Sequence, residues 1–202
     1  FSKRHQLPLQ REWFTSIEGV VPGLAILIQL LSQPGDPIVI QGPYYGSFAK
    51  IVTLNGREVL ENPLALGPQG YQFDFDHLEA CFEQRKPPLL LLCNPHNPTG
   101  RCWTRDELTQ LMTLCSRYGV TVISDEIWAD LLLPGETFTS VLHLDESWQD
   151  HVISATSASK SFGLSSLRIS NFLIPNDQTR NAFVERLNAH GLDAVSYTHL
   201  RA

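Results

Sequence analysis

The chain has 202 residues, 43% of them hydrophobic and 18% charged, which is enough apolar material for one sizeable core. A formal net charge of −6 argues against binding to nucleic acid or to an anionic membrane surface. The apolar runs are too short to span a bilayer, no secretory leader pattern opens the chain, and Cys81, Cys93, Cys102 and Cys115 form no CxxC pair, so the expectation is a cytoplasmic protein with reduced thiols and no metal site.

In chain order, helical and strand patterns alternate. A helix is predicted over Val21 to Ser32, with Pro22 in the first turn, where its missing N–H costs nothing. Pro34-Gly35-Asp36-Pro37 breaks it, and Ile38-Val39-Ile40 reads as a short strand. A helical piece over Gly46 to Asn55 stops at Gly56, and Arg57 to Leu60 reads as another strand. Asp74 caps a helix over Phe75 to Gln84, and Leu89 to Leu92 is an apolar run of buried-strand length. Thr104 with Glu107 three residues on is a capping-box signature for a helix reaching Tyr118. The β-branched run Val120 to Ser124 follows, then strands over Val152 to Ala155 and Ile169 to Ile174, and a helix over Gln178 to His190. Alternation of this kind predicts crossover units and a mainly parallel sheet in one three-layer α/β/α domain.

Three segments carry the chemistry. Cys93-Asn94-Pro95-His96-Asn97-Pro98-Thr99-Gly100-Arg101 places two Asn-Pro steps and a glycine just after a strand, so Asn97 sits beyond the carboxyl end of that strand, where open α/β sheets bind ligands. Val120 to Trp128 is a strand ending in the carboxylates Asp125 and Glu126. Ser154 to Arg168 sets Lys160 among small and hydroxyl residues, with Arg168 eight positions later. Such a lysine fits a tight turn, with hydroxyls and an arginine able to hold a phosphate and an amine able to react with a carbonyl. On its own the run reads equally as a serine-rich loop with an incidental lysine.

Taken together, Asn-Pro-x-Asn-Pro-Thr-Gly, then Ser-Asp-Glu, then Ser-x-Ser-Lys with an arginine eight residues on resemble fold-type I pyridoxal phosphate (PLP) enzymes of the class I/II aminotransferase superfamily. The details around His96, and Trp103 before the helix, resemble the MalY/PatB-type cystathionine β-lyases, which are C–S lyases. The resemblance runs from about Trp13 to about Ala189. It implies the large PLP-binding domain of such an enzyme over residues 1–195, with the small domain largely absent, and hence a fragment whose residues 196–202 do not continue the family pattern.

The resemblance also implies roles. Lys160 would be the Schiff-base lysine and the general base for the Cα proton, and Asp125 would pair with the pyridinium nitrogen. Asn97 would hydrogen-bond the ring's 3′ oxygen, and Tyr45 would stack on the ring, with Tyr44 the other choice in Pro43-Tyr44-Tyr45. Ser157, Ser159 and Arg168 would hold the phosphate together with backbone amides of the Gly19-Val20-Val21 turn. Trp128 departs from the pattern, because the family has Tyr or His three residues after the aspartate; an indole donates one N–H and neither accepts nor titrates. It could therefore donate to the 3′ oxygen, shape the substrate pocket or cover the cofactor's edge. His96 reads as a turn histidine in preference to an acid near a leaving group. The implied reaction is β-elimination of cystathionine or another S-substituted cysteine, an amino-acid substrate, in a homodimer. The alternatives are transamination of a 2-oxo acid, or a non-catalytic regulatory or inactive fragment.

Overall fold

The computed structural model describes residues 2–5, 7–68 and 70–192. After a short N-terminal helix, α1 (Ser2–His5), come β1 (Phe14–Glu18), α2 (Val20–Leu31), β2 (Pro37–Gly42), α3 (Gly46–Leu54) and β3 (Glu58–Pro63). A small hairpin of β4 (Ala65–Gly67) and β5 (Gly70–Gln72) precedes α4 (Phe75–Arg85), β6 (Leu89–Cys93), α5 (Arg105–Tyr118) and β7 (Thr121–Asp125). A long irregular connection leads to β8 (Val152–Thr156), the one-turn helix α6 (Ala158–Ser161), β9 (Ile169–Leu173) and α7 (Asp177–His190).

Among the described residues the main sheet has seven strands in the order β1-β9-β8-β7-β6-β2-β3. The five strands from β8 to β3 run parallel, and β9 is antiparallel to both β8 and β1. The chain steps outward from β2 to β3, then returns to β6 and continues outward the other way through β7 and β8. That reversal between β2 and β6 is the position where an open α/β sheet leaves a crevice at its carboxyl edge.

Alternation along the strands fills both faces, as a parallel sheet requires. Ile38, Ile40, Leu89, Leu91, Ile123 and Ile153 face a core with Leu24, Leu27, Phe48, Phe172 and Phe183, under α2, α3 and α7. Val39, Leu90, Leu92, Val122 and Val152 face a second core with Leu78, Phe82, Leu108, Leu111 and Trp103, under α4 and α5. The result is the expected three-layer α/β/α domain with a mainly parallel sheet.

Local signals act as their chemistry dictates. The Asp74 side chain accepts from the His77 N–H at 2.9 Å to start α4. Thr104 Oγ1 accepts from the Glu107 N–H at 3.2 Å while Glu107 Oε2 accepts from the Thr104 N–H at 2.8 Å, closing the capping box. Gly119 ends α5 in the left-handed conformation, with φ 69°. Trp103 is fully buried, stacked on Phe73 at a centroid distance of 4.0 Å, and its Nε1–H donates to Cys93 O at 3.0 Å. That bond fixes the end of β6 and the turn that carries Asn97.

Two departures from the sequence expectation stand out. The strands β1, β4 and β5 were not anticipated; β1 is a half-exposed edge strand without alternation, and the hairpin strands have three residues each. Lys160 sits on a turn of helix, α6, in place of the expected tight turn, because Ser157 caps it by accepting from the Ser159 N–H at 3.1 Å. Residues 196–202, expected to be an off-pattern tail, lie outside the described residues. No helix among the described residues is long and apolar enough to cross a membrane, and Cys81, Cys93, Cys102 and Cys115 are buried free thiols.

Candidate active site

The parallel strands deliver their chemistry to one edge. β2 ends before Tyr45, β6 before Asn97, β7 at Asp125 and β8 before Ser157 to Lys160. Together they line a cleft of about 260 Å³ whose walls include Val20, Val21, Tyr45, Asn97, Asp125, Trp128, Ser157, Ser159, Lys160 and Arg168. Apart from the alternatives Tyr44 and His96, every residue named from the sequence as a cofactor or catalytic candidate therefore lines one cleft, although they span Val20 to Arg168 in the chain.

The floor is the buried end of β7. Asp125 pairs in register with Cys93 on one side and Ala155 on the other, and only 6% of it is exposed. Its Oδ1 accepts from the Ile127 N–H at 3.2 Å. Burial pushes its carboxyl up to about 7, against the opposing pull of the Ile127 N–H and the Lys160 charge. A carboxyl held in this way gains most from a cationic partner such as a protonated ring nitrogen. Beside it, burial and the Asp125 charge push the Cys93 thiol far above its ordinary value, so Cys93 stays a neutral thiol. Its sulfur accepts from the Asn97 N–H at 3.3 Å, which seats the Asn97 turn on the floor.

Directly behind Asp125, the neighbouring Glu126 turns to the other face of the sheet. Its carboxylate accepts from Ser140 and Ser154 hydroxyls, each at 2.7 Å, from Ser124 at 3.1 Å and from the Val141 N–H at 3.0 Å. Burial pushes its carboxyl to about 7 despite these four donors. Glu126 does not line the cleft; it ties β7, β8 and the segment after Ser140 together beneath Asp125.

The opposite wall suits a dianion. Gly19, with φ 89°, precedes α2 and supplies no side-chain cap, so the first-turn amides of this 12-residue helix are left to another acceptor. Across from them, Ser157 Oγ lies 2.8 Å from Ser159 Oγ and 2.8 Å from Ile169 O. Arg168 holds a left-handed backbone (φ 49°), which a non-glycine residue adopts only when its surroundings fix it. Its guanidinium, 65% exposed, stands 3.5 Å from Glu18 in a loose ion pair at the cleft's rim. Arg168 thus makes a surface ion pair and also lines the cleft.

The remaining candidates separate cleanly. Tyr45 lines the cleft, half-exposed and edge-to-face with Phe48, whereas Tyr44 packs against the core. Lys160 Nζ lies 5.2 Å from the centroid of the Trp128 ring. His96 does not line the cleft; it is buried, its Nδ1 is 2.9 Å from Thr99 Oγ1, and burial lowers its pKa to about 4, so it is a neutral turn histidine. The sequence reading missed Cys93, Phe48, Ile127, Ser165 and Ser170 as cleft-lining residues. Only Ser165 and Ser170 carried a signal, as hydroxyls flanking Arg168.

The profile of the family described as aminotransferase class I and II matches residues 1–195. The chain belongs to that family. It is 38% identical over 193 residues to cystathionine beta-lyase PatB of Bacillus subtilis, covering 96% of this chain and 50% of the relative. It is 34% identical over 206 residues to protein MalY of Escherichia coli, covering all of this chain and 51% of the relative. The chain thus spans about half the length of the curated relatives it matches. Among solved structures, cystalysin from Treponema denticola, which contains a pyridoxal 5′-phosphate cofactor, superimposes with a TM-score of 0.91 at 32% identity, over 96% of this chain and 49% of cystalysin. PLP is the cofactor of this fold-type I family. The cleft fits it: an uncapped helix N-terminus, two serines and an arginine for the phosphate at one end, a buried carboxyl for the ring nitrogen at the other, and an amine between walls.

Proposed function

We propose that this chain forms the PLP-binding part of a C–S β-lyase. Such an enzyme cleaves cystathionine or a related S-substituted cysteine to a thiol, pyruvate and ammonia. The observation that carries this reading is the convergence of Lys160, Asp125, Asn97 and Tyr45 on one cleft beside the open α2 N-terminus, in a chain whose relatives include named C–S lyases.

The roles follow from chemistry and position. Bound PLP supplies an electron sink for the pair left at Cα when its proton is removed. The α2 amides, Ser157, Ser159 and Arg168 would hold the phosphate, and Asp125 would keep the ring nitrogen protonated. Asn97 would donate its amide N–H to the 3′ oxygen, and Tyr45 would cover one face of the ring. Lys160 would hold the cofactor covalently before substrate arrives; afterwards its free Nζ would accept the Cα proton. The Cβ–S bond then breaks with its electron pair on sulfur, which leaves as the thiolate. Trp128 would bound the amine's side of the cleft and could contribute one N–H.

The family profile also favours a second reading, a transaminase that passes the amino group to a 2-oxo acid, because the same residues serve both fates. Pyruvate release from cystathionine by the PLP-loaded protein, with no 2-oxo acid present, decides between them. Release supports the lyase; turnover that requires a 2-oxo acid overturns it. A homodimer is part of the proposal, supported by exposed Val21, Tyr45, Leu164 and Leu167 around the cleft, and sedimentation tests it.

A further inference from the structure

Asp130 lies outside the cleft, two residues after Trp128 in the turn that follows β7. Its Oδ2 accepts from the Ser161 hydroxyl at 2.8 Å. Its Oδ1 faces Arg4 at 2.8 Å and His5 Nε2 at 2.9 Å, so two basic groups hold the carboxylate in place from its other side. Ser161 is the neighbour of Lys160 and the last residue of α6.

Helix α6 has little to hold it. It is four residues long and buries none of its side chains, and the Phe162 that follows is exposed. One turn of helix does not persist on its own, because its nucleation cost is never recovered by propagation. Among the described residues, side-chain bonds fasten it at two ends: Ser157 to Ile169 O at its start and Ser161 to Asp130 at its finish. The finishing bond runs to the same turn that carries Trp128, and the Lys160 ammonium lies over the Trp128 ring.

We propose that Asp130 is a positioning residue: its bond to Ser161 fastens the turn bearing Lys160 to the turn bearing Trp128 and so sets where the lysine amine stands in the cleft. The proposal rests on the reading of Lys160 as the lysine that holds the cofactor and moves the proton. Asp130 itself touches neither substrate nor cofactor. Ser161→Ala severs the tether without disturbing the Arg4 and His5 contacts, Ser161→Thr restores a hydroxyl, and Asp130→Ala removes the acceptor.

Two measurements test it. In cofactor-free protein, the acylation rate of Lys160 by an amine-reactive ester, located by mass spectrometry, reads the freedom of the amine. In PLP-loaded protein, kcat and KM for pyruvate release read its alignment. The tether predicts that Ser161→Ala raises Lys160 labelling several-fold and lowers kcat about tenfold, with KM changed by less than about twofold. Ser161→Thr returns both toward wild type, and the Ser161→Ala/Asp130→Ala double variant labels no faster than the more affected single variant. Unchanged labelling and kcat in Ser161→Ala overturn the proposal, as do additive effects in the double variant. Borohydride reduction of wild-type protein with PLP separates the two ideas. A label found elsewhere than Lys160 removes the catalytic reading, while the labelling arm still decides whether the tether exists.

Discussion

The Lys160 ammonium rests over the face of the Trp128 indole, 5.2 Å from its centroid, although the two residues come from turns after different strands. A cation in this position is attracted by the ring's quadrupole, by about 1 kcal/mol when partly desolvated. Trp128 thereby does something that the Tyr or His usual at this position would do less well: it holds the amine without offering it an acceptor.

Trp128→Phe keeps an aromatic face and removes the indole N–H; Trp128→Ala removes both. If the face matters, pyruvate release by PLP-loaded Trp128→Ala falls by roughly fivefold, the equivalent of about 1 kcal/mol, while Trp128→Phe loses less. Equal losses in the two variants would show that the N–H is the working part. Steady-state kinetics of both variants give the answer.

The carboxyl of Asp125 is held near 7, against an ordinary value of 3.8. Below about pH 4 the folded and unfolded chains both keep it protonated, and it contributes nothing to the pH dependence. As pH rises toward 7 the unfolded chain releases this proton first, so the folded state loses stability across that window; above 7 the loss is constant. Asp125→Asn removes the charge and leaves an oxygen for the Ile127 N–H. The melting temperature of the cofactor-free variant should therefore rise relative to wild type between pH 4 and 7 and stay above it at pH 8. A gap that shrinks with rising pH would contradict the burial argument. The same substitution should weaken PLP retention, measured by dialysis and absorbance.

Much of this site was legible because its residues sit at strand ends marked by punctuation. Asn97 follows an apolar run and a proline turn, and Asp125 ends a β-branched strand, so both could be placed at the sheet's carboxyl edge from the sequence. Lys160, Ser157 and Arg168 were recognisable from spacing, yet the helix under Lys160 was not, because one turn is shorter than any hydrophobic period. The resemblance put Tyr45 ahead of Tyr44, and the structure agrees, with Tyr45 lining the cleft and Tyr44 packed against the core. Glu126 and Asp130 were invisible as working residues: Glu126 reaches Ser154, 28 positions on, and Asp130 reaches His5, 125 positions back, and Arg4 beyond it, and distant pairs leave no local pattern. The antiparallel pairing of β9 with β8 and β1 was hidden for the same reason.

Glu126 gathers donors from Ser124, Ser140, Ser154 and the Val141 N–H in a fully buried position. Glu126→Ala would strand those donors without an acceptor and cost about 3 kcal/mol or more. Glu126→Gln keeps one oxygen and the side-chain volume and should cost clearly less, because the serine hydroxyls can rotate to accept from the new amide. Urea unfolding of both variants measures the difference. Equal losses would mean that packing volume, and not the hydrogen-bonded cluster, is what Glu126 supplies.

Gly23 sits on α2 where that helix crosses β9, and a β-carbon added there would run into the ring of Phe172. Phe172 is fully buried in the core and tilted against Phe183 at a centroid distance of 5.3 Å, so its ring is hemmed in by packed neighbours. Elsewhere in a helix interior Gly→Ala stabilises by up to about 1 kcal/mol. Here overpacking should win, with a net loss of about 1–3 kcal/mol. The strain would be relieved by lifting α2 from the sheet, and α2 carries the Gly19-Val20-Val21 turn at the phosphate end of the cleft. Gly23→Ala should therefore lower both the urea midpoint and the affinity for inorganic phosphate, with Phe172→Leu in the same chain recovering part of each. A variant as stable as wild type would show that the helix already has the room this packing denies it.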